Sequence, residues 1–289
     1  MQTNAPETMG VIYRLQLSQL HPHPQNPFSI RDDQAMLDLI QSVQSHGVLV
    51  PAIARPRPDG EYEIIAGHRR KHASELAGLD FMPVVVLDLN DDEAIIQLVD
   101  SNIQRENILP SERAKAYKMR MDAMKRQGAR TDLTSPNISA KFRSDDELGQ
   151  EVGVSGDTIR NYASLTNLVP ELMQMVDEGR IKLSPAYQIA ALPHNEQSLL
   201  LDTIESEQAT PSLSQAQRMK RLSQNGELNE DVLLEIMMEQ KKPVRNDITL
   251  SGEKLRKYFP KSYSPIQMEN VIFKLLEAWQ RKRQRDQSR

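Results

Sequence analysis

No cysteine occurs among the 289 residues, so disulfide frameworks, Cys-ligated zinc and thiol nucleophiles are excluded. Aromatic residues are scarce, at 4% with a single tryptophan, which suits a helix-rich chain with small cores. No stretch approaches the ~20 apolar residues of a membrane span. The first ten residues, MQTNAPETMG, have neither a basic start nor an apolar run. The expectation is therefore no signal peptide, no membrane and a cytoplasmic location. The histidine pairs His21–His23 and His68–His72 have no carboxylate at a metal-ligand spacing. Clustered methionines such as Met119, Met121 and Met124 read as packing.

The length is enough for about two domains of ~100–200 residues. The net charge of -4 gives no hint of a polyanion partner, but the charge is uneven. Glu112 to Arg130 holds seven Lys/Arg against two acids, and Lys274 to Arg289 holds six against two. Such patches either meet nucleic acid or stand as solvated helix faces.

Residues 1–10 read as a disordered tail, 11–109 as an α/β unit and 110–225 as an all-helical unit. A linker is expected at 226–245, then a small, mostly helical unit at 246–289. In the α/β unit, strands are expected near 11–15, 49–54, 62–65 and 84–87. The stretch HPHPQNPF, with three prolines, reads as irregular. Met36, Leu37, Ile40 and Val43 fall at helical spacing. Asp91 and Asp92 open a helix carrying Ala94, Ile95, Leu98 and Val99. A basic helix is expected over 111–126, then a polar loop, GARTDLTSPNISAKFRSDD. Helices follow near 145–151, 156–166, 170–178, 185–192, 195–206 and 212–224. In the last unit Ser264–Pro265 starts a helix. Along it Met268, Ile272, Leu275, Leu276 and Trp279 make one apolar stripe. The stripe packs either on its own unit, through Ile248, Leu250, Leu255, Tyr258 and Phe259, or on a second copy.

Residues 147–162, ELGQEVGVSGDTIRNY, read as a helix-turn-helix within 145–166. Leu148 and Val152 form an apolar pair, Gly153 supplies the turn, and Ser155 caps the second helix. Ile159 and Tyr162 face the first. The candidates for DNA contact are Ser155, Gly156, Asp157, Thr158, Arg160, Asn161 and Ser164. A plain αα-hairpin uses the same pattern for packing alone.

The stretch IIAGHRRKHASELAG raises a different question. It gathers positive charge at a helix start, where the backbone dipole is already positive. A glycine, helix-start amides, Arg69 and Arg70 together suit a polyphosphate. A second stretch, LVDSNIQRENILPSERAKAY, sits between this motif and the helix-turn-helix. In this order the motifs resemble the ParB family of DNA partition proteins, with its GERRxRA and ENxQRxxLxPxE motifs. The resemblance covers roughly residues 11–190. It implies a ParB/sulfiredoxin-like α/β domain, then an all-α helix-turn-helix domain. It also implies a homodimer on a palindromic double-stranded DNA site, associated with nucleoid or plasmid. CTP with Mg²⁺ closes the family's N-terminal domain into a sliding clamp, and a ParA-type ATPase is the usual partner. Carried over, Gly67, His68, Arg69 and Arg70 hold the triphosphate. Asn102 helps hold the metal, and Arg105 supports the phosphate side.

Three departures stand out. His68 replaces the Glu of GERR. Ser101 replaces the Glu of EN, and serine is a poor ligand for a hard divalent cation. The family's first motif, NPxQPR, is scrambled. The expectation is a nucleotide binder that is at most a weak CTPase, with no catalytic residue assigned. Two alternatives share the scaffold. One is a transcription regulator that uses the helix-turn-helix without nucleotide. The other is a ParB-like small-molecule kinase, whose acid would be Glu63 or Asp100. Sulfiredoxin chemistry needs a cysteine and is excluded.

Overall fold

The computed structural model describes residues 11–105, 108–131, 144–239, 255–260 and 262–287. The expected tail at 1–10 and most of the expected polar loop lie outside them. The chain divides into two compact units, 1–239 and 240–289.

The first unit opens with a mixed five-stranded sheet. Strands β1 (Ile12–Gln16), β2 (Leu20–Pro22), β3 (Ala52–Pro56), β4 (Tyr62–Ala66) and β5 (Phe81–Val86) lie in the order β1-β5-β3-β4-β2. β1–β5 and β3–β4 are antiparallel, while β3–β5 and β2–β4 are parallel. Side chains alternate along a strand. On β4, Ile64 packs with Leu17, Leu20 and Met82, and Ile65 packs with Leu98, Val99 and Tyr117. A strand covered on both faces favours a continuous apolar run, which accounts for Ile64–Ile65–Ala66. Helix α1 (Gln34–His46) is capped by Asp33, whose carboxylate accepts from the Met36 amide at 2.9 Å. It packs on α2 (His68–Leu76) through Met36, Val43 and Ala73.

Two strand expectations need correction. Leu20–Pro22 is a strand despite the prolines around it. It is an edge strand ending on Pro22, where proline is tolerated. β3 begins at Ala52, not at Leu49. Leu49 and Val50 are exposed, and the Val50 and Pro51 carbonyls accept from the Arg70 guanidinium instead.

Asn90 caps α3 (Asp91–Asp100) in a capping box with Glu93, and three acids fill the first turn. The long α4 (Pro110–Thr131) then runs beneath the helix-turn-helix, α5 (Ser144–Val152) and α6 (Gly156–Ser164). Ile65, Leu98, Tyr117, Leu148 and Ile159 belong to one core. That core therefore continues from the sheet, through α3 and α4, into the helix-turn-helix. A second core lies among α7 (Pro170–Asp177), α8 (Leu183–Ile189), α9 (His194–Glu207), α10 (Leu213–Gln224) and α11 (Glu230–Met238). α11 corrects the linker expected from 226. Asn229 caps it, and Leu233, Ile236 and Met237 are buried in that core.

In the second unit, α12 (Pro265–Gln287) buries Met268 but exposes Ile266, Phe273, Leu275, Leu276 and Trp279. Arg283 lies over the Trp279 ring at 5.5 Å. Ile248 and Leu250, two expected partners of the stripe, lie outside the described residues. Among those residues no helix is long and apolar enough to cross a membrane.

Arg120 of α4 joins the elements around the shared core. It is 4% exposed. Its Nε donates to Asp100 at 2.7 Å, and its Nη2 donates to Asp100 at 3.2 Å and to the Glu151 carboxylate. Arg120→Ala should lower the unfolding free energy by about 1–3 kcal/mol, measured by urea titration. Arg120→Lys should recover less than half of the loss, because an ammonium cannot form the same fork. An unchanged midpoint in the alanine protein would remove Arg120 from the supports of the fold.

Candidate functional site

The turn from β4 into α2 puts Gly67 at the helix N-cap with φ at +109°, a conformation suited to glycine. An added Cβ would also lie 2.8 Å from the Ala52 Cβ. Glycine is thus required by both the turn and the packing on β3. The amides of the first turn of α2 have no helical partners, and the dipole makes this end positive.

Three arginines gather here. Arg69 lines a cavity of about 290 Å³ together with Phe28, Arg31, Asp33, Arg105 and Glu112. It reaches Asp33 at 3.3 Å. Burial lowers the Arg70 pKa, and that guanidinium is pinned to the Val50 and Pro51 carbonyls. The Arg105 pKa is lowered by burial first and then by the charge of Arg69, with Arg70 adding to the effect against Glu112. A half-buried guanidinium whose charge is disfavoured by neighbouring arginines is arranged for an anion. His68 stands behind them, buried, with its pKa pushed down to about 4 by burial, then by Arg105, His23 and Lys71.

The expected set is therefore only partly assembled. Arg69 and Arg105 share the cavity, Gly67 shapes its helix end, and Arg70 braces the neighbouring loop. Asn102 is buried instead. Its Nδ2 donates to the Leu98 carbonyl at 2.8 Å and to the Ser101 Oγ at 3.1 Å. The Ser101 hydroxyl donates to the same carbonyl. Asp100 is held by Arg120, and no cluster of three metal-type side chains exists among the described residues. The donors for a Mg²⁺ site do not converge, so no step is assigned to a metal.

Sequence reasoning missed Glu112. It is buried, accepts from the Ser29 amide at 3.0 Å and from the Ser29 hydroxyl, and accepts from the Leu109 amide at 3.2 Å. It thereby ties the loop bearing Phe28 and Arg31 to α4. The signal was present, since Glu112 is the last residue of the LxPxE pattern. Both acids considered for a kinase are committed elsewhere. Asp100 pairs with Arg120, and Glu63 accepts from the Arg55 Nε at 2.6 Å.

In the helix-turn-helix, Gly153 makes the turn with φ at +73°. Ser155 caps α6 by accepting from the Thr158 amide at 3.2 Å, and its hydroxyl lies 2.9 Å from the Thr158 hydroxyl. Gly156 is buried, and an added Cβ would strike the Asp146 carboxylate. It is a packing contact between the two helices, not the exposed DNA contact expected. Ser164 spends its hydroxyl on the Asn161 carbonyl at 2.7 Å. Arg160 is paired with both Asp145 and Asp157. Asp157 and Asn161 remain exposed on the outer face. Lys115 and Lys118 of α4 are exposed too, Lys118 lying 3.3 Å from the Thr166 hydroxyl. Tyr162 packs edge-on between Tyr117 and Tyr187, which fixes α6 on α4 and α8.

Residues 1–103 match the family model of the ParB N-terminal domain, and residues 137–211 match that of the ParB HTH domain. The chain is 31% identical over 187 residues to the chromosome-partitioning protein Spo0J of Thermus thermophilus, covering 65% of this chain and 62% of that one. It is 29% identical over 252 residues to the stage 0 sporulation protein J of Bacillus subtilis, covering 86% and 79%. The chain thus spans about 62% of the length of the Thermus relative. Two structures of the C-terminally truncated chromosome-partitioning ParB of Caulobacter crescentus are also similar. The complex with the centromeric parS site aligns at 25% identity, covering 74% of this chain and 99% of that one, with a TM-score of 0.45. The complex with CTP-γ-S aligns at 28% identity, covering 63% and 93%, with a TM-score of 0.32. At those scores the superpositions carry no weight, and the kinship rests on sequence.

Arg160→Ala should destabilise the helix-turn-helix by about 2–4 kcal/mol, because the buried Asp145 carboxylate would lose its partner. Adding Asp145→Asn should restore part of the loss in a thermal melt. A double variant no more stable than the single one would show that the pair does not support the fold.

Proposed function

The chain belongs to the ParB family, and from that premise we propose that it is a site-specific DNA-binding protein of DNA partition, acting as a CTP-dependent clamp. The observation that carries the nucleotide half is the meeting of Arg69, from the first turn of α2, with Arg105, from the segment after α3, in one cavity. Burying cations beside one another is unfavourable unless an anion neutralises them. The triphosphate lies across the α2 amides, with Arg69 and Arg105 on the cavity wall. Arg70 holds the Val50–Pro51 main chain in place beneath. The choice of CTP follows the family. With Ser101 at the position of the family's glutamate, hydrolysis is slow or absent.

For DNA, α6 enters the major groove. Asn161 is the base reader, since its amide can pair with an adenine edge. Lys115 and Lys118 meet phosphate. Two copies join through the exposed stripe of α12 and so present two recognition helices to a palindromic site. The setting is the cytoplasm, on nucleoid or plasmid DNA, with a ParA-type ATPase as partner.

Arg69→Ala combined with Arg105→Ala should weaken CTP binding at least tenfold, about 1.4 kcal/mol per decade, by isothermal titration. Equal affinity in both proteins would sink the pocket assignment. Asn161→Ala should cost specific DNA binding about 1–3 kcal/mol while leaving CTP affinity unchanged. A footprint that keeps its strength would move recognition elsewhere. Deleting residues 244–289 should weaken self-association in sedimentation and flatten the salt dependence of non-specific DNA binding. A truncated protein that stays dimeric without nucleotide would overturn the role of α12.

A further inference from the structure

His68 opens α2 at the place where the family motif has glutamate. The side chain is 6% exposed, and its Nε2 has no hydrogen-bond partner. Leaving a buried polar group unpartnered is unfavourable, so packing alone does not account for an imidazole here. Three positive or titratable groups act on its charge: Arg105 from the segment after α3, His23 from the segment after β2, and Lys71 from α2 itself. His23 leads on to Glu63 of β4, whose carboxylate is 4.0 Å from the His23 Nε2 and is bound by Arg55 of β3. The Glu63 carboxylate is therefore already matched by a cation. Burial first, and then the charges of Arg105, His23 and Lys71, hold the imidazole neutral, with its pKa pushed down to about 4.

A polyphosphate on Arg69 and Arg105 reverses that field. Its negative charge offsets the cations that keep the ring neutral. We propose that His68 makes nucleotide binding proton-linked: the buried ring, with its unpartnered Nε2, takes up one proton from water when the polyphosphate settles beside Arg105. This rests on the nucleotide reading above. A group whose pKa is higher in the complex than in the free protein favours binding at low pH. Affinity therefore rises as pH falls through the bound-state value toward about 4, by up to about tenfold per pH unit.

The test is titration calorimetry of CTP against the whole protein and against His68→Gln, at about pH 5.5, 6.5 and 7.5, which bracket the ordinary histidine range. Two buffers of different ionisation heat report the protons taken up. The titration of CTP itself is common to both proteins and cancels in their ratio. The wild-type advantage should grow at least fivefold from the highest pH to the lowest, with net proton uptake that the variant lacks. Should the variant not fold, the wild-type His68 imidazole can be followed by NMR, and its titration midpoint should move up by about two units or more when CTP is added, the rise that a fivefold change requires. A midpoint that stays near 4 overturns the proposal. So does a pH slope that survives His68→Gln and disappears in His23→Asn, which would place the proton on His23. Absence of any CTP heat in the wild type, at every pH, would overturn the nucleotide reading itself and this inference with it.

Discussion

One buried guanidinium sets the geometry of both candidate sites. Arg120 projects from α4 and is almost wholly enclosed, yet its partners, Asp100 and Glu151, are each about half exposed at the side chain, 42% and 50%. The arrangement keeps the cost of burial on one side of the pair, since the carboxylates retain much of their hydration. Asp100 closes α3, and the turn bearing Ser101, Asn102 and Arg105 follows it directly. Glu151 lies near the end of α5, and α6 follows after one glycine turn. A fork that holds both acids fixes where two functional segments begin. The apolar core beneath it runs from Ile65 to Ile159 without interruption, so the two segments are packed as well as charge-paired.

The arginines divide by what they meet. Arg55, Arg120 and Arg160 each touch two carboxylates and serve the fold. Arg70 is spent on main-chain carbonyls. Arg105 instead faces two other arginines and a single acid, Glu112, which is also engaged by the Ser29 and Leu109 amides. The contrast separates arginines matched by carboxylates or carbonyls from one set beside other arginines, without reference to any relative. It also shows why proximity to a helix start was an insufficient guide. Arg69 and Arg70 are neighbours in sequence, but only Arg69 lines the cavity.

Much of this was legible beforehand because local signals agreed with one another. A strand running into a glycine and then a basic helix start gave β4, Gly67 and α2. Gly153 with Ser155 gave the turn and the cap. The misses share a cause, which is that a short window cannot see what a residue is packed against. Leu49 and Val50 look like strand residues, but their stretch supplies carbonyls to Arg70. Gly156 looks like an exposed helix start, but Asp146 closes over it. Arg160 looks like a base reader, yet two acids from different positions claim it. α11 is a different case. Its cap at Asn229 and its acidic first turn, Glu230 and Asp231, were readable, and the polar run before them drew attention away.

An acidic chain can still serve a polyanion if its charges are segregated. The net charge is -4, so long-range attraction to DNA is absent and must come from local fields within a Debye length, about 8–10 Å. In the proposed reading those fields lie on α4 and at the end of α12, where bases outnumber acids three to one or more. Each copy alone offers few phosphate contacts, and salt screens them readily. Two copies joined through Leu275, Leu276 and Trp279 would double the contacts and hold them at one spacing. A second contact then forms at a high effective concentration rather than from bulk solution. In that reading the exposed apolar stripe and the basic tail that follows it belong to one device, the stripe supplying the pairing that an acidic monomer lacks and the tail turning that pairing into grip on DNA.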